Sequence, residues 1–115
     1  MRQIKFRVFY PWAKKVGLRE MEYFDLDNRP YEMTSHPNIL MQFTGLHDKN
    51  GKEIWEGDIV KNLSGAYGAY DDVVTKIEYS ESQGAFIDKY WGDTLDHYEF
   101  MEVLGNIYEN QDLIK

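Results

Sequence analysis

The dipeptide Asn50-Gly51 constrains this chain more than any other feature. Asn and Gly tolerate φ > 0 at both central positions of a type I′ turn, so the pair predicts a two-residue loop between antiparallel strands. The flanks agree. Leu40–Thr44 is a short apolar run, Leu46 precedes the turn, and Ile54-Trp55 follows it. Met41–Lys61 therefore reads as a β-hairpin that turns tightly at Gly57 and continues into a further strand.

Other segments keep the same two-residue period. Ile4, Phe6, Val8 and Tyr10 share one face of Gln3–Tyr10, with Lys5 and Arg7 on the other. This is the pattern of a half-buried strand. Pro11 and Lys14-Lys15-Val16-Gly17 interrupt it, and Glu20–Leu26 is read as the return strand. Asp27-Asn28-Arg29-Pro30 breaks that strand, Tyr31–Asn38 is irregular, and Ser64–Asp72 is a loop. Val73–Tyr79 alternates again, with Thr75, Ile77 and Tyr79 on one face. A turn at Glu81–Gly84 leads to a strand over Ala85–Trp91. Asp93–Met101 fits one or two helical turns or an aromatic strand, and Glu102–Tyr108 closes the core.

Composition narrows the setting. With 115 residues, the chain fits one domain, 1–115. It has no cysteine, so disulfides and thiolate metal sites are excluded. No apolar run approaches the ~20 residues of a membrane span, and the N-terminus lacks an apolar signal region. We expect a soluble protein of the bacterial cytoplasm, with no membrane partner. The net charge of −7 is uneven. Residues 1–20 carry six Lys/Arg and one acid, while the remaining 95 residues carry seven basic and nineteen acidic side chains.

Three blocks stand out in order along the chain: Met1–Arg7 (MRQIKFR), Leu40–Val60 (LMQFTGLHDKNGKEIWEGDIV) and Glu102–Asn110 (EVLGNIYEN). Together they resemble the YopX family of small phage and prophage proteins. The resemblance implies a mostly β fold and a phage or prophage origin, and it carries no activity or catalytic residue. Pro11–Ile39 and Ser64–Met101 are where such proteins vary, so a partner preference of this chain is expected there.

No reactive constellation emerges. Asp48, Asn50 and Lys52 echo the start of a calcium loop, but the sixth and twelfth positions are Glu53 and Ile59 instead of Gly and Glu. His36, His47 and His97 lack metal-ligand spacing, and whether His47, Asp48, Asp96 and His97 converge is left open. Ser35, Ser64, Ser80 and Ser82 sit in loops or turns without a nucleophile elbow. Asp71-Asp72 and Glu53/Glu56 read as solvated turn charges. We expect no enzyme and no cofactor.

What remains is binding. Aromatic residues make up 16% of the chain, and several fall in loops or at strand ends. Trp12, Tyr67, Tyr70, Tyr90, Trp91 and Tyr98 form the candidate interaction surface, because Trp and Tyr bury large area at low entropic cost. The expected function is a non-enzymatic module for a protein partner, including a second copy of the chain. The alternative is a nucleic-acid-binding SH3-like module in which Arg2, Lys5, Arg7, Lys14, Lys15 and Arg19 meet phosphates and Trp12 stacks on a base. An acidic majority opposes it. The fold expected is mostly β, a small barrel-like or two-sheet domain with an SH3-like strand rhythm and at most one or two short helical turns.

Overall fold

The computed structural model describes residues 4–25, 27–28, 38–62, 73–89, 92–95, 98–110 and 112. It is mostly β and antiparallel, in two compact units, Met1–Phe43 and Thr44–Lys115. Strand β3 (Ile39–His47) runs through the boundary between them. Among the described residues helical structure is limited to 3-10 turns, and no helix is long and apolar enough to cross a membrane.

In the first unit β1 (Lys5–Phe9) is the central strand, paired with β2 (Met21–Asp25) and with the start of β3. The register places Phe6 opposite Phe24 and Gln42, and Val8 opposite Glu22 and Leu40. The alternation read from sequence thus selects a real face: Val8, Tyr10, Ala13 and Phe24 form a core, flanked by Phe6 and Trp12. Phe6 and Phe24 stack with ring centroids 5.7 Å apart. The other face differs from expectation. Lys5 is half-buried, its Nζ 4.7 Å from the Phe43 ring centroid, and Arg7 is only 3% exposed. Arg7 sits opposite Tyr23 and Met41 in mid-sheet, and the neighbouring Phe9, Met21 and Met41 of that face are buried too. Alternation alone cannot tell a half-buried strand from one covered on both faces.

The β1–β2 connection is tightly tied. Tyr10 N–H donates to Glu20 O at 2.7 Å, and a 3-10 turn over Ala13–Val16 follows Pro11. Gly17, at φ 75°, ends that turn in the left-handed region, where a glycine costs least. Leu18 N–H then returns to Ala13 O at 2.9 Å.

In the second unit β3 leads to β4 (Glu53–Trp55), and the predicted hairpin is present. Its loop is one residue longer than Asn50-Gly51 predicts. Asp48 N–H donates to Lys52 O, Gly51 N–H donates to Asp48 O, and Gly51 has φ 81°. A turn over residues 48–51 followed by a left-handed glycine is the three-residue hairpin loop. Thr44 Oγ1 pins the arms by donating to Ile54 O at 2.6 Å.

After a turn at Gly57 (φ 87°), where Trp55 N–H donates to Asp58 Oδ2, the chain enters β5 (Asp58–Asn62). The sheet continues with β6 (Val73–Ser80), β7 (Ala85–Asp88), β8 (Asp93–Thr94) and β9 (Met101–Asn106), in the order β8-β7-β6-β5-β9. Strand β7 stops at Asp88 instead of reaching Trp91. Gly92 N–H donates to Asp88 O, and Gly92 at φ 73° turns the chain back into β8. Ile54, Val60, Ile77, Phe86, Leu95 and Met101 form the core of this unit.

The end of β9 is a knot of amide side chains. Asn106 Oδ1 accepts the N–H groups of Tyr108 and Glu109, and Asn110 Oδ1 accepts Asn106 N–H at 3.1 Å. A Cβ on Gly105 would lie 2.7 Å from Asn110 Cγ. Gly105→Ala must therefore push Asn110 away and break its bond to Asn106, at a cost of about 1 to 2 kcal/mol. Urea denaturation should show this as a lower midpoint with unchanged slope.

Candidate functional site

Among the described residues two places bear on function, and they differ in kind. The first is the Asp48 carboxylate, 6% exposed, at the base of the hairpin loop. Oδ1 accepts N–H from Asn50 and Lys52 at 2.8 and 2.9 Å, and Oδ2 accepts Val103 N–H at 2.9 Å. Lys49 N–H adds a bond to Met101 O. Burial pushes the Asp48 carboxyl up. The three backbone N–H groups and the nearby Lys52 ammonium together outweigh that and hold it below its ordinary value of 3.8. Asp48 thus acts as an anionic staple between the hairpin and β9. Its oxygens meet N–H donors, which is why the calcium-loop echo of Asp48, Asn50 and Lys52 leads nowhere. Among the described residues no group of three or more His, Asp or Glu is placed to hold a metal ion.

The second place is a groove of about 270 Å³ in the first unit, lined by Tyr10, Trp12, Leu18, Arg19 and Glu22. Tyr10 is buried and forms its floor. The Trp12 ring lies 5.4 Å from it, tilted by 55°, and is half-buried. Its indole Nε1–H donates to Asn38 Oδ1 at 3.3 Å, which fixes the ring plane. Leu18 is 57% exposed, Arg19 is exposed, and Glu22 on β2 is half-buried. The local fold explains the grouping. The 3-10 turn and Gly17 swing Leu18 and Arg19 back toward the end of β1, and the Tyr10–Glu20 bond sets Glu22 beside them. An aromatic wall, an aliphatic rim and one charge of each sign can hold an amphipathic side chain and orient its polar end.

The residues singled out from sequence are scattered by the structure. Of the aromatic set, Trp12 lines the groove. Tyr98 is half-buried and packs against the core of the second unit. Tyr67, Tyr70, Tyr90 and Trp91 lie outside the described residues. Of the basic set, Lys14, Lys15 and Arg19 are exposed, Lys5 is engaged over Phe43, Arg7 is buried, and Arg2 lies outside the described residues. His47 is exposed, whereas His36, Asp96 and His97 lie outside the described residues, as do Ser35, Ser64, Asp71 and Asp72. Ser80 and Ser82 face each other across an exposed turn at 3.1 Å. Tyr10, Leu18 and Glu22 were missed as groove residues. The signal was a lone leucine among charges in a turn, which becomes meaningful only once the turn geometry is known.

Comparison with known proteins places the fold in a family. The crystal structure of protein EF1440 from Enterococcus faecalis is similar over 100% of both chains, with a TM-score of 0.65 and 23% sequence identity. At that identity the likeness is one of fold. No curated protein matches the chain. The family model described as YopX protein matches residues 5–115, which takes in β1 to β9 of the described residues. The chain belongs to the YopX family.

Proposed function

We propose that this chain is a non-enzymatic accessory protein of a phage or prophage that works in the cytoplasm of a bacterial host by holding a protein partner in the groove at Trp12. The observation that carries this reading is the groove lining itself. Tyr10, Trp12, Leu18, Arg19 and Glu22 offer apolar area and opposite charges in one cavity, and they contain no nucleophile paired with a base. Leu18, lining the groove and exposed, carries its apolar rim outward. The phage setting rests on what family membership implies, and the partner includes a second copy of the chain as one case.

Leu18→Glu is the sharpest test, because an exposed side chain can change without disturbing the fold. Size exclusion with light scattering and affinity capture from host lysate should show a complex with the unaltered chain. The variant should lose it while its melting temperature stays within about 2 °C. A monomer that captures nothing, or a variant that captures as well as the parent, contradicts the proposal. The exposed Lys14, Lys15 and Arg19 beside Trp12 favour a second reading, nucleic-acid binding. That reading requires retardation of DNA or RNA at low salt, falling steeply as salt rises.

A further inference from the structure

We infer that the segment accommodated by the Trp12 groove is an acidic peptide with one aliphatic or aromatic anchor residue; this rests on the protein-binding reading above. Lys14, Lys15 and Arg19 all lie on the eleven-residue connection between β1 and β2 that also carries Trp12 and Leu18, and all three are exposed. Among the described residues none of them enters an ion pair, whereas Lys89 and Glu78 in the second unit pair at 3.3 Å. Lys14, Lys15 and Arg19 outnumber Glu20, the one acid of that connection, so the stretch that supplies Trp12, Leu18 and Arg19 to the groove is net positive and can meet carboxylates. Residues 1–43 carry seven Lys/Arg and five Asp/Glu, against six and fifteen in residues 44–115. The positive character is therefore local to the unit that holds the groove.

Size and polarity then select a peptide. A cavity of about 270 Å³ takes one side chain such as Leu or Phe against Tyr10 and Trp12. The half-buried Glu22 carboxylate lies on β2 in the groove wall, where it can accept a backbone N–H of an extended segment. A phosphodiester backbone has no N–H donor for that carboxylate and places a charge at every nucleotide, whereas a peptide backbone brings an N–H to it. Glu22 thus discriminates between two anionic ligand classes that Lys14, Lys15 and Arg19 alone would treat alike.

The test titrates the whole chain with fluorescein-labelled octapeptides of Asp and Glu around a single Leu, Phe or Trp. Charge-reversed Lys/Arg peptides and a labelled oligothymidylate serve as comparators. Anisotropy should show saturable binding of at least one acidic peptide and none of the reversed ones. Arg19→Glu should weaken binding about tenfold or more, and so should raising the salt, because both act on the same charge pairing. In nitrogen-edited NMR the Trp12 indole N–H resonance, identified by its absence in Trp12→Phe, should shift during the titration. Equal binding of the reversed peptides, tighter binding of the oligonucleotide, or no binding by any acidic peptide overturns the inference. If Leu18→Glu still abolishes partner capture while every acidic peptide fails, the groove remains the recognition site and only the charge class is wrong.

Discussion

Asp48→Ala should lower the stability of the chain by about 3 to 5 kcal/mol. One side chain serves three backbone donors, at Asn50, Lys52 and Val103. Hydrogen bonds to a charged acceptor contribute about 1.5 to 3 kcal/mol each. Water can replace the acceptor at the exposed residues Asn50 and Lys52, so the sum must be discounted there. Val103 is half-buried, and its N–H is left poorly satisfied. Asp48→Asn should fall between the two, since one carbonyl oxygen cannot serve three N–H groups spread over both carboxylate positions.

The same carboxylate sets a pH dependence with a definite sign. Its folded pKa is below the ordinary aspartate value, so folding favours the ionised form. The contribution is fully present above the unfolded pKa, near 4, and is lost as pH falls through the lower folded value. Urea midpoints measured from neutral pH down to pH 2 should converge for the parent chain and Asp48→Asn in acid and diverge above pH 4. Parallel curves would remove Asp48 from the account of acid sensitivity.

Ile54→Ala should cost about the same by a different mechanism. Ile54 is wholly buried among Val60, Ile77, Phe86, Leu95 and Met101. Truncation removes three buried carbons and leaves a cavity that β-sheet walls cannot easily close. Such changes cost about 2 to 5 kcal/mol, and full burial places this one in the upper half. The melting temperature should fall by roughly 10 to 20 °C, since each kcal/mol moves a domain of this size by several degrees. Calorimetry checks it, and a shift under about 5 °C would mean that the core closes around the gap.

These two sites lie in the stretch that is most recognisable in the sequence, and both are structural. Local rules made this part legible. Asn50-Gly51 announces a hairpin because glycine tolerates φ > 0, and Gly57 announces a corner for the same reason. Alternation over Gln3–Tyr10 and Val73–Tyr79 found strands because side-chain direction has period two. What was not legible depends on parts of the chain far apart in sequence. The burial of Arg7 follows from cover on both faces of β1, which its own strand does not encode. Asp48 reaches Val103 across 55 residues, so nothing in the sequence around the hairpin points to that bond. β7 ends at Asp88 because the chain turns back at Gly92, although the aromatic residues after Asp88 favour continuation.

The groove was half legible. Trp12 and Arg19 are joined at the sequence level only through the nucleic-acid alternative, and nothing there brings in Tyr10, Leu18 or Glu22. The 3-10 turn, Gly17 and the Tyr10–Glu20 bond bring Trp12 and Arg19 together with Leu18 and Glu22. Trp12, Leu18, Arg19 and Glu22 all fall within Pro11–Ile39, the stretch that the family resemblance marks as variable. On the protein-binding reading proposed above, scaffold and recognition occupy different parts of the chain.

Hydrogen–deuterium exchange on the whole chain, with and without its captured partner, tests that division most directly. The account predicts new protection over residues 10–22 on binding, with the hairpin over residues 44–56 equally protected in both states. New protection confined to the hairpin, with residues 10–22 exchanging as before, would contradict it.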